Sequence, residues 1–427
     1  VFNGAVGGTT ALTSLTTDAG GSVAINGGVV NTTGAQSYGE AATLGAATTL
    51  TSTGSGAITF GGTLNGAQTL AVNTSGVTTF TGAVGGTTAL TSLTTDAGGT
   101  VAINGGVVNT TGAQSYGEAA TLGAATTLTS TGAGAITFGG TLNGAQTLAV
   151  NTSGVTTFTG AVGGTAALTS LTTDAGGTVA INGGVVNTTG AQSYGEAATL
   201  GAATTLTSTG AGAISFGGTL NGAQTLAVNT SGVTSFTGVV GGTTPLTSLT
   251  TDALGETQLK GALVHTTVDA VFNDIVKVFT DVTVKAAGQL TFAKTVDADT
   301  ANTRTLKLDG GNIAAVSVQG NLGATNSLKT LEVVNSESTT FVGSVKADTS
   351  VVLTNSRIGI AFNGGLTTPS LSIANQPFAL TLGGAVSVTD QVTANNTGTL
   401  QLGGVETDNL YFANGLVATA PASIGMA

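Results

Sequence analysis

The sequence predicts an all-β fold, a right-handed parallel β-helix (β-solenoid) with roughly 20 residues per rung. Three observations carry that prediction: a text repeat of 78 residues, a shorter motif recurring inside it, and a composition of strand formers broken by Gly and Asn. Of 427 residues 69 are Gly and 4 Pro, 7% are charged, 40% are apolar, and Cys and Trp are absent. A disordered chain has the opposite balance, many charges and few apolar side chains. Val, Thr, Leu and Ala alternating with turn residues are strand material, so the chain is expected to fold.

The long repeat is explicit. Phe2, Phe80, Phe158 and Phe236 open nearly the same text, FTGAVGGTTALTSLTTDAGG, at a constant spacing of 78. After the shared Phe, copies one and two differ only at Asn3/Thr81, Ser22/Thr100 and Ser55/Ala133; copy three departs from copy two at Ala166, Ser215 and Ser235. Residues 1–235 therefore read as three near-identical repeats. Residues 236–313 read as a degenerate fourth, and 314–427 as a divergent continuation of the same solenoid, with no linker between the parts. In the fourth copy Ile181 maps to Leu259, Gly183 to Gly261, Tyr194 to Phe272 and Glu196 to Asp274. That register matters because Val264, Val268, Val271, Ile275 and Val278 on their own have the spacing of an amphipathic helix. The register predicts strands; the helix is the alternative.

Inside each copy, ITFGGTLNGAQTLAVNTSG around Phe60, TTFTGAVGGTTALTSLTTDAG around Phe80 and QSYGEAATLGAATTLTSTGAG around Tyr116 share a layout: an aromatic, Gly-rich turn residues, a Thr/Leu strand, then Gly. A fourth, shortened unit is TVAINGGVVNTTGA around Ile103. Steps of 20, 23, 13 and 22 residues suggest four units per copy, averaging about 19.5 residues, one rung each. Phe341, Phe362, Leu382 and Leu402 continue the spacing, and Thr295–Arg304 reads as a small insertion at a turn. Stacked units pair each strand in parallel with its successor and bury Val, Leu, Ile and Phe inward, leaving Thr, Ser and Asn outward. At 4.8 Å per layer the chain would make about 22 rungs over about 105 Å, with edges that call for neighbouring rungs of a parent chain or of another copy.

Charge excludes several functions. The formal net charge is -11, and all nine Lys and Arg lie between Lys260 and Arg357. The repeats thus have no basic groove for nucleic acid and no basic patch for an anionic membrane surface, and no apolar run is long enough for membrane insertion. The absence of Cys fits a protein outside the cell. Val1 lies inside a repeat, so the chain reads as a processed product or a segment of something longer.

TTFTGAVGG…TALTSLTTDAGG and ITFGGTLNGAQTLAVNTSG resemble the repeats of filamentous-haemagglutinin-like exoproteins and autotransporter adhesin passengers, over residues 1–343 and more loosely beyond. The resemblance implies a right-handed β-helix at the bacterial cell surface, serving adhesion, biofilm or structure as an extracellular fibre. The Asn-Pro motifs of the two-partner secretion domain are missing, since Pro245, Pro369, Pro377 and Pro421 follow no Asn, and no membrane barrel ends the chain. Host or matrix carbohydrate or protein would be the partner.

No residue pattern demands catalysis, a cofactor or a metal, and none is assigned. A β-helix enzyme acting on polysaccharide is the least favoured alternative. It needs two carboxylates 5–10 Å apart, and Asp18/Glu40, Asp96/Glu118 and Asp174/Glu196 are the pairs that adjacent rungs could bring together. Their expected role is as solvated acids that keep a neutral rod soluble. Asp297, Asp299 and Asp309 with Arg304 and Lys307 form the densest charge cluster, expected as a polar loop, with a calcium or sugar site as the sharper alternative. His265 replaces Asn187 of the preceding copy and has no Cys or Ser/Asp pattern to work with. Tyr38, Tyr116 and Tyr194 are expected in the core. An ice-binding Thr face is disfavoured by the uneven steps. The expected function is a structural or adhesive fibre, the repeats a rigid spacer and 260–427 the contact region; a self-assembling filament or sheath subunit is the alternative.

Overall fold

The computed structural model describes residues 1–426 and falls into two units, Val1–Gly218 and Thr219–Ala427. Both are parallel β-solenoids, and the described residues contain no helix.

In the first unit three short strands make one turn. Thr100–Ile103, Val107–Thr110 and Gln114–Tyr116 form one turn, and Ala119–Leu122, Thr126–Ser130 and Ile136–Phe138 form the next. Each strand pairs in parallel with its successor: Thr100 with Ala119, Val107 with Thr127, Gln114 with Ile136. Alternation decides which residues enter the core. In Thr126–Ser130 the residues Thr126, Leu128 and Ser130 are buried, while Thr127 and Thr129 are only half-buried. Inward hydroxyls at the strand ends satisfy main-chain groups where the chain turns, Thr126 Oγ1 donating to Ala124 O at 2.8 Å. Ser130 Oγ donates to Gly112 O at 2.8 Å and accepts from Gly134 N at 3.0 Å, and Thr152 Oγ1 donates to Gly134 O at 2.7 Å. Each corner is thus tied to the rung before it.

The 78-residue copy is not four rungs. Copy two contributes ten strands, from Thr100–Ile103 to Ser170–Thr173, and the segment Val162–Leu168 fills one more position through isolated bridges to Val186 and Thr188. Eleven positions at three to a turn give three and two-thirds turns, or about 21 residues per turn. The shortened unit TVAINGGVVNTTGA is two strands, the missing third of a turn.

The consequence is rotational. Tyr38 stacks on Phe60 and Phe60 on Phe80 in one sheet; Tyr116, Phe138 and Phe158 stack in a second; Tyr194 and Phe216 lie in a third. Each copy presents the same text one face further round. The irregular step occurs at Val162–Leu168, where Gly163 has a φ of +67° and a Cβ would lie 2.2 Å from Asn187 O, so only Gly fits.

In the second unit the strands Ala270–Phe272, Gln289–Phe292, Ala315–Val318, Ser338–Phe341, Gly359–Phe362, Ala379–Leu382 and Thr399–Leu402 form one continuous parallel ladder. Phe341, Phe362, Leu382 and Leu402 are consecutive partners in it, as their spacing predicts. Leu263–His265, Ala270–Phe272, Ile275–Val278 and Val282–Lys285 are strands, so the helical alternative is wrong. Inward burial of Val264, Phe272, Val276 and Val278 against neighbouring rungs overrides the local 3.6-residue periodicity. Thr295–Arg304 is only half an insertion: Val296–Ala298 is a strand paired with Val276–Val278, and the loop is residues 299–304.

Candidate functional site

The acidic residues of the repeats are placed differently from expectation. Gln114, Tyr116, Glu118, Ala120 and Leu122 are all buried, one continuous inward alternation across a corner. Glu118 and Glu196 are each 3% exposed and Glu40 8%, so the glutamates are not solvated acids. The chain packs tightly there: a Cβ on Gly117 would lie 2.7 Å from Asp96 O on the preceding rung. Thr95 Oγ1 donates to Glu118 Oε2 at 2.6 Å, and Thr173 Oγ1 to Glu196 Oε2 at 2.5 Å; Thr17 makes the same bond to Glu40.

The sequence pairing of Asp with Glu is realised on adjacent rungs. Burial raises the Glu118 carboxyl above its ordinary range, the Thr95 hydroxyl opposes the shift, and the like charge of Asp96 adds to it. Glu196 is raised in the same way, with Asp174 as the neighbouring charge. Asp96 Oδ1, Glu118 Oε1 and Asp174 Oδ1 are buried with no hydrogen-bond partner among the described residues. Buried acceptors without donors are costly, on the order of 1–3 kcal/mol each.

In the fourth copy the same place is rebuilt. Asp274 stands for Glu196 and Asp252 for Asp174. Asp274 accepts from Thr251 at 2.7 Å and from Thr257 at 2.8 and 3.0 Å. Thr257 replaces Val179, so an inward methyl has become a donor. Lys294 Nζ reaches Ala253 O at 2.5 Å, and its charge acts on Asp252.

The cluster Asp297, Asp299, Asp309, Arg304 and Lys307 is not one site. Asp297 is buried and accepts from Thr325 N at 2.9 Å and Asn326 N at 3.2 Å. Asp299 and Arg304 form a two-pronged pair at 2.6 and 2.9 Å. Asp309 is the ladder partner of Lys285 and caps Gly311 N at 3.0 Å. Lys307 pairs across the ladder with Glu332 at 2.7 Å. With Asp281, Thr283, Thr305 and Thr330, this last pair lines an open depression of about 320 Å³. Asp281 Oδ1 holds Thr305 N there at 2.8 Å.

His265 is half-buried on the rung below Lys285, and burial together with that ammonium lowers its pKa. Tyr116 is fully buried, and its hydroxyl donates to Gln114 Oε1 at 3.0 Å; Tyr38 and Tyr194 do the same to Gln36 and Gln192. The glutamine closes the network by donating to Val108 O at 3.1 Å and Thr129 O at 3.0 Å. These buried glutamines escaped the sequence reading, although Q-x-Y places both side chains on one strand face. Outward Thr columns are interrupted by other residues: Ala71 lies between Thr49 and Thr94, and Ala180 between Thr157 and Thr199.

Comparison with protein-family models, with curated proteins and with solved structures finds no match to this chain. No helix among the described residues is long and apolar enough to cross a membrane.

Proposed function

We propose that the chain is part of an extracellular or cell-surface fibre, in which the repeats act as a rigid spacer and the divergent region makes the specific contact. The observation that carries this reading is the contrast in surface chemistry. The first unit repeats one Thr-rich text on three faces in turn, with one Asp and one Glu in each copy and no Lys or Arg. Such a surface offers nothing a ligand could recognise at one position only. The second unit has outward charge pairs, Lys277 with Glu256, Lys307 with Glu332 and Arg357 with Glu337, and the second of these lines a depression of hydroxyls and carboxylates. Hydroxyl-rich, charge-flanked surface suits a carbohydrate or a polar protein partner. Catalysis forms no part of this reading, since the repeated glutamates point into the core.

The test uses the full chain. Binding to a glycan and matrix-protein array is measured for the native chain and for Lys307→Ala/Glu332→Ala. Binding that the double variant loses supports the reading, and binding that it retains, or absence of any binding, overturns the assignment of contact to this region. Electron microscopy of the same samples separates spacer from polymer: isolated particles fit the spacer, whereas long fibres with an axial repeat fit a self-assembling filament.

A further inference from the structure

We propose that the buried Asp–Glu pairs of the repeats, Asp96 with Glu118 and Asp174 with Glu196, are binding sites for a hard divalent cation of the calcium type. The argument rests on a substitution the chain has already made within itself. In copies two and three a glutamate 3% exposed neighbours an aspartate of the adjacent rung, and Asp96 Oδ1 and Glu118 Oε1 in copy two and Asp174 Oδ1 in copy three are buried with no donor among the described residues. Nothing in residues 1–259 can supply a cation, since they contain no Lys or Arg.

The fourth copy has the same acidic pair and two compensations. Thr257, where copies two and three have Val101 and Val179, donates to both oxygens of Asp274. Lys294 stands two residues beyond Phe292, where copy three has Gly218 two residues beyond Phe216. Its ammonium extends back across the rung of Asp274 to Ala253 O, beside Asp252. Where the chain provides its own positive charge and donor, the carboxylates are satisfied. Where it provides only the Thr95 or Thr173 hydroxyl and no positive charge, that charge must come from outside.

The donor set fits a hard cation. It comprises carboxylate oxygens from two rungs and, by equivalence with Ala253, the main-chain carbonyls of Ala97 and Ala175; Ca²⁺ takes such oxygens and completes its shell with water. Asp96 and Asp174 are half-exposed, so water has access. No group of three or more acidic, His or Cys side chains exists among the described residues, so the affinity is expected to be weak, about 10⁻⁴–10⁻³ M.

Isothermal titration of the full chain with CaCl₂ at neutral pH and fixed ionic strength tests this. Two cations per chain are expected, with a melting temperature that climbs with calcium. Glu118→Gln/Glu196→Gln is expected to lose both, while its amides restore the missing donors and keep the fold. Lys294→Ala, an exposed change, is expected to gain one cation at Asp252/Asp274. Absence of calcium binding overturns the proposal. So does unchanged binding in the double glutamine variant, or no gain in Lys294→Ala. Uptake of a proton by the pair, with no displacement by calcium, assigns the missing donor to a shared hydrogen and overturns it equally.

Discussion

The two units build the same kind of rung from different resources, and the difference shows what exact repetition costs. In Val1–Gly218 the copies share the same solutions, and copies two and three keep the unsatisfied oxygens of Asp96, Glu118 and Asp174. In Thr219–Ala427 the rungs have diverged, and some defects are answered locally, Thr257 for a valine and Lys294 for a glycine, while Thr291 Oγ1 and Asn396 Oδ1 stay buried without a partner among the described residues. Ion pairs also lie across neighbouring rungs, Lys277 to Glu256 and Lys307 to Glu332. A strict repeat multiplies whatever its unit contains, while divergence corrects one rung at a time. Since solenoid stability is close to a sum of rung and interface terms, the two units should respond differently to the same kind of change.

The largest effect is expected at the aromatic stacks. Tyr116 is fully buried, with its ring 5.1 Å from that of Phe138, which lies 5.7 Å from Phe158. Tyr116→Ala should cost about 3–5 kcal/mol, as for other large-to-small core changes, and it leaves Gln114 Oε1 without its donor. Phe341→Ala in the second unit removes a ring from the Phe341–Phe362 stack at 4.7 Å but strands no polar group. Hydrogen exchange resolved along the chain should show the larger loss of protection around Tyr116. Equal losses would mean that the buried glutamine network contributes nothing.

That network gives the next test. Tyr116→Phe keeps the ring and removes only the hydroxyl that donates to Gln114. An orphaned buried acceptor costs about 1–3 kcal/mol, so a loss in that range at the neighbouring rungs is expected. Tyr116→Phe combined with Gln114→Leu replaces both partners by apolar groups and should recover part of the loss. No recovery would show that Gln114 matters through its bonds to Val108 O and Thr129 O instead.

Much of this was legible in the letters. The strand assignment of Leu263–Val278 followed from the 78-residue shift, and the Phe341, Phe362, Leu382, Leu402 ladder from its spacing. The turn count was not. Anchors 13 residues apart read as a short rung, because text shows where a motif recurs but not which face of a triangle it occupies; hydrogen-bond register alone shows that Thr100–Ile103 and Val107–Thr110 are two sides of one turn. The burial of Glu118 was available from alternation through Gln114, Tyr116 and Ala120, but the expectation that acids are solvated outweighed it. Lys294 lies 41 residues from its acceptor Ala253, two rungs away, and no local pattern signals such a reach.

The carboxylates sharpen the comparison through pH. In the folded chain Glu118 and Glu196 have raised pKa values, so folding favours their protonated forms. Their contribution is complete below the ordinary glutamate range and is lost as pH rises through the raised values. In calcium-free buffer the first unit should therefore lose stability as pH rises from the ordinary glutamate range through those raised values. Glu118→Gln/Glu196→Gln should flatten that slope. Thermal melts across pH decide it: an unchanged slope in the double variant would place its origin in the net charge of -11 or in Asp252 and Asp274, whose carboxyls burial also raises, rather than in these two groups.

The smallest effect isolates the backbone. Ser55, Ala133 and Ala211 occupy one corner in three copies with φ of 64°, 61° and 61°, a region costly for any side chain. Copy one has a compensation, since the Ser55 and Ser75 hydroxyls are 2.6 Å apart; Ala133 and Ala211 cannot make that bond. Ala133→Gly should therefore stabilise its rung by on the order of 1 kcal/mol, the relief of the left-handed backbone cost less the extra chain entropy of Gly. Ser55→Gly relieves the same backbone cost but gives up the hydroxyl pair, and its net change should be smaller. Ala133→Ser tests the other half, because Ser153 occupies the place of Ser75 and the new hydroxyl would have a partner. If Ala133→Gly and Ser55→Gly shift the melting temperature equally, the hydroxyl pair contributes nothing, and the one difference between copies one and two at this corner has no energetic consequence.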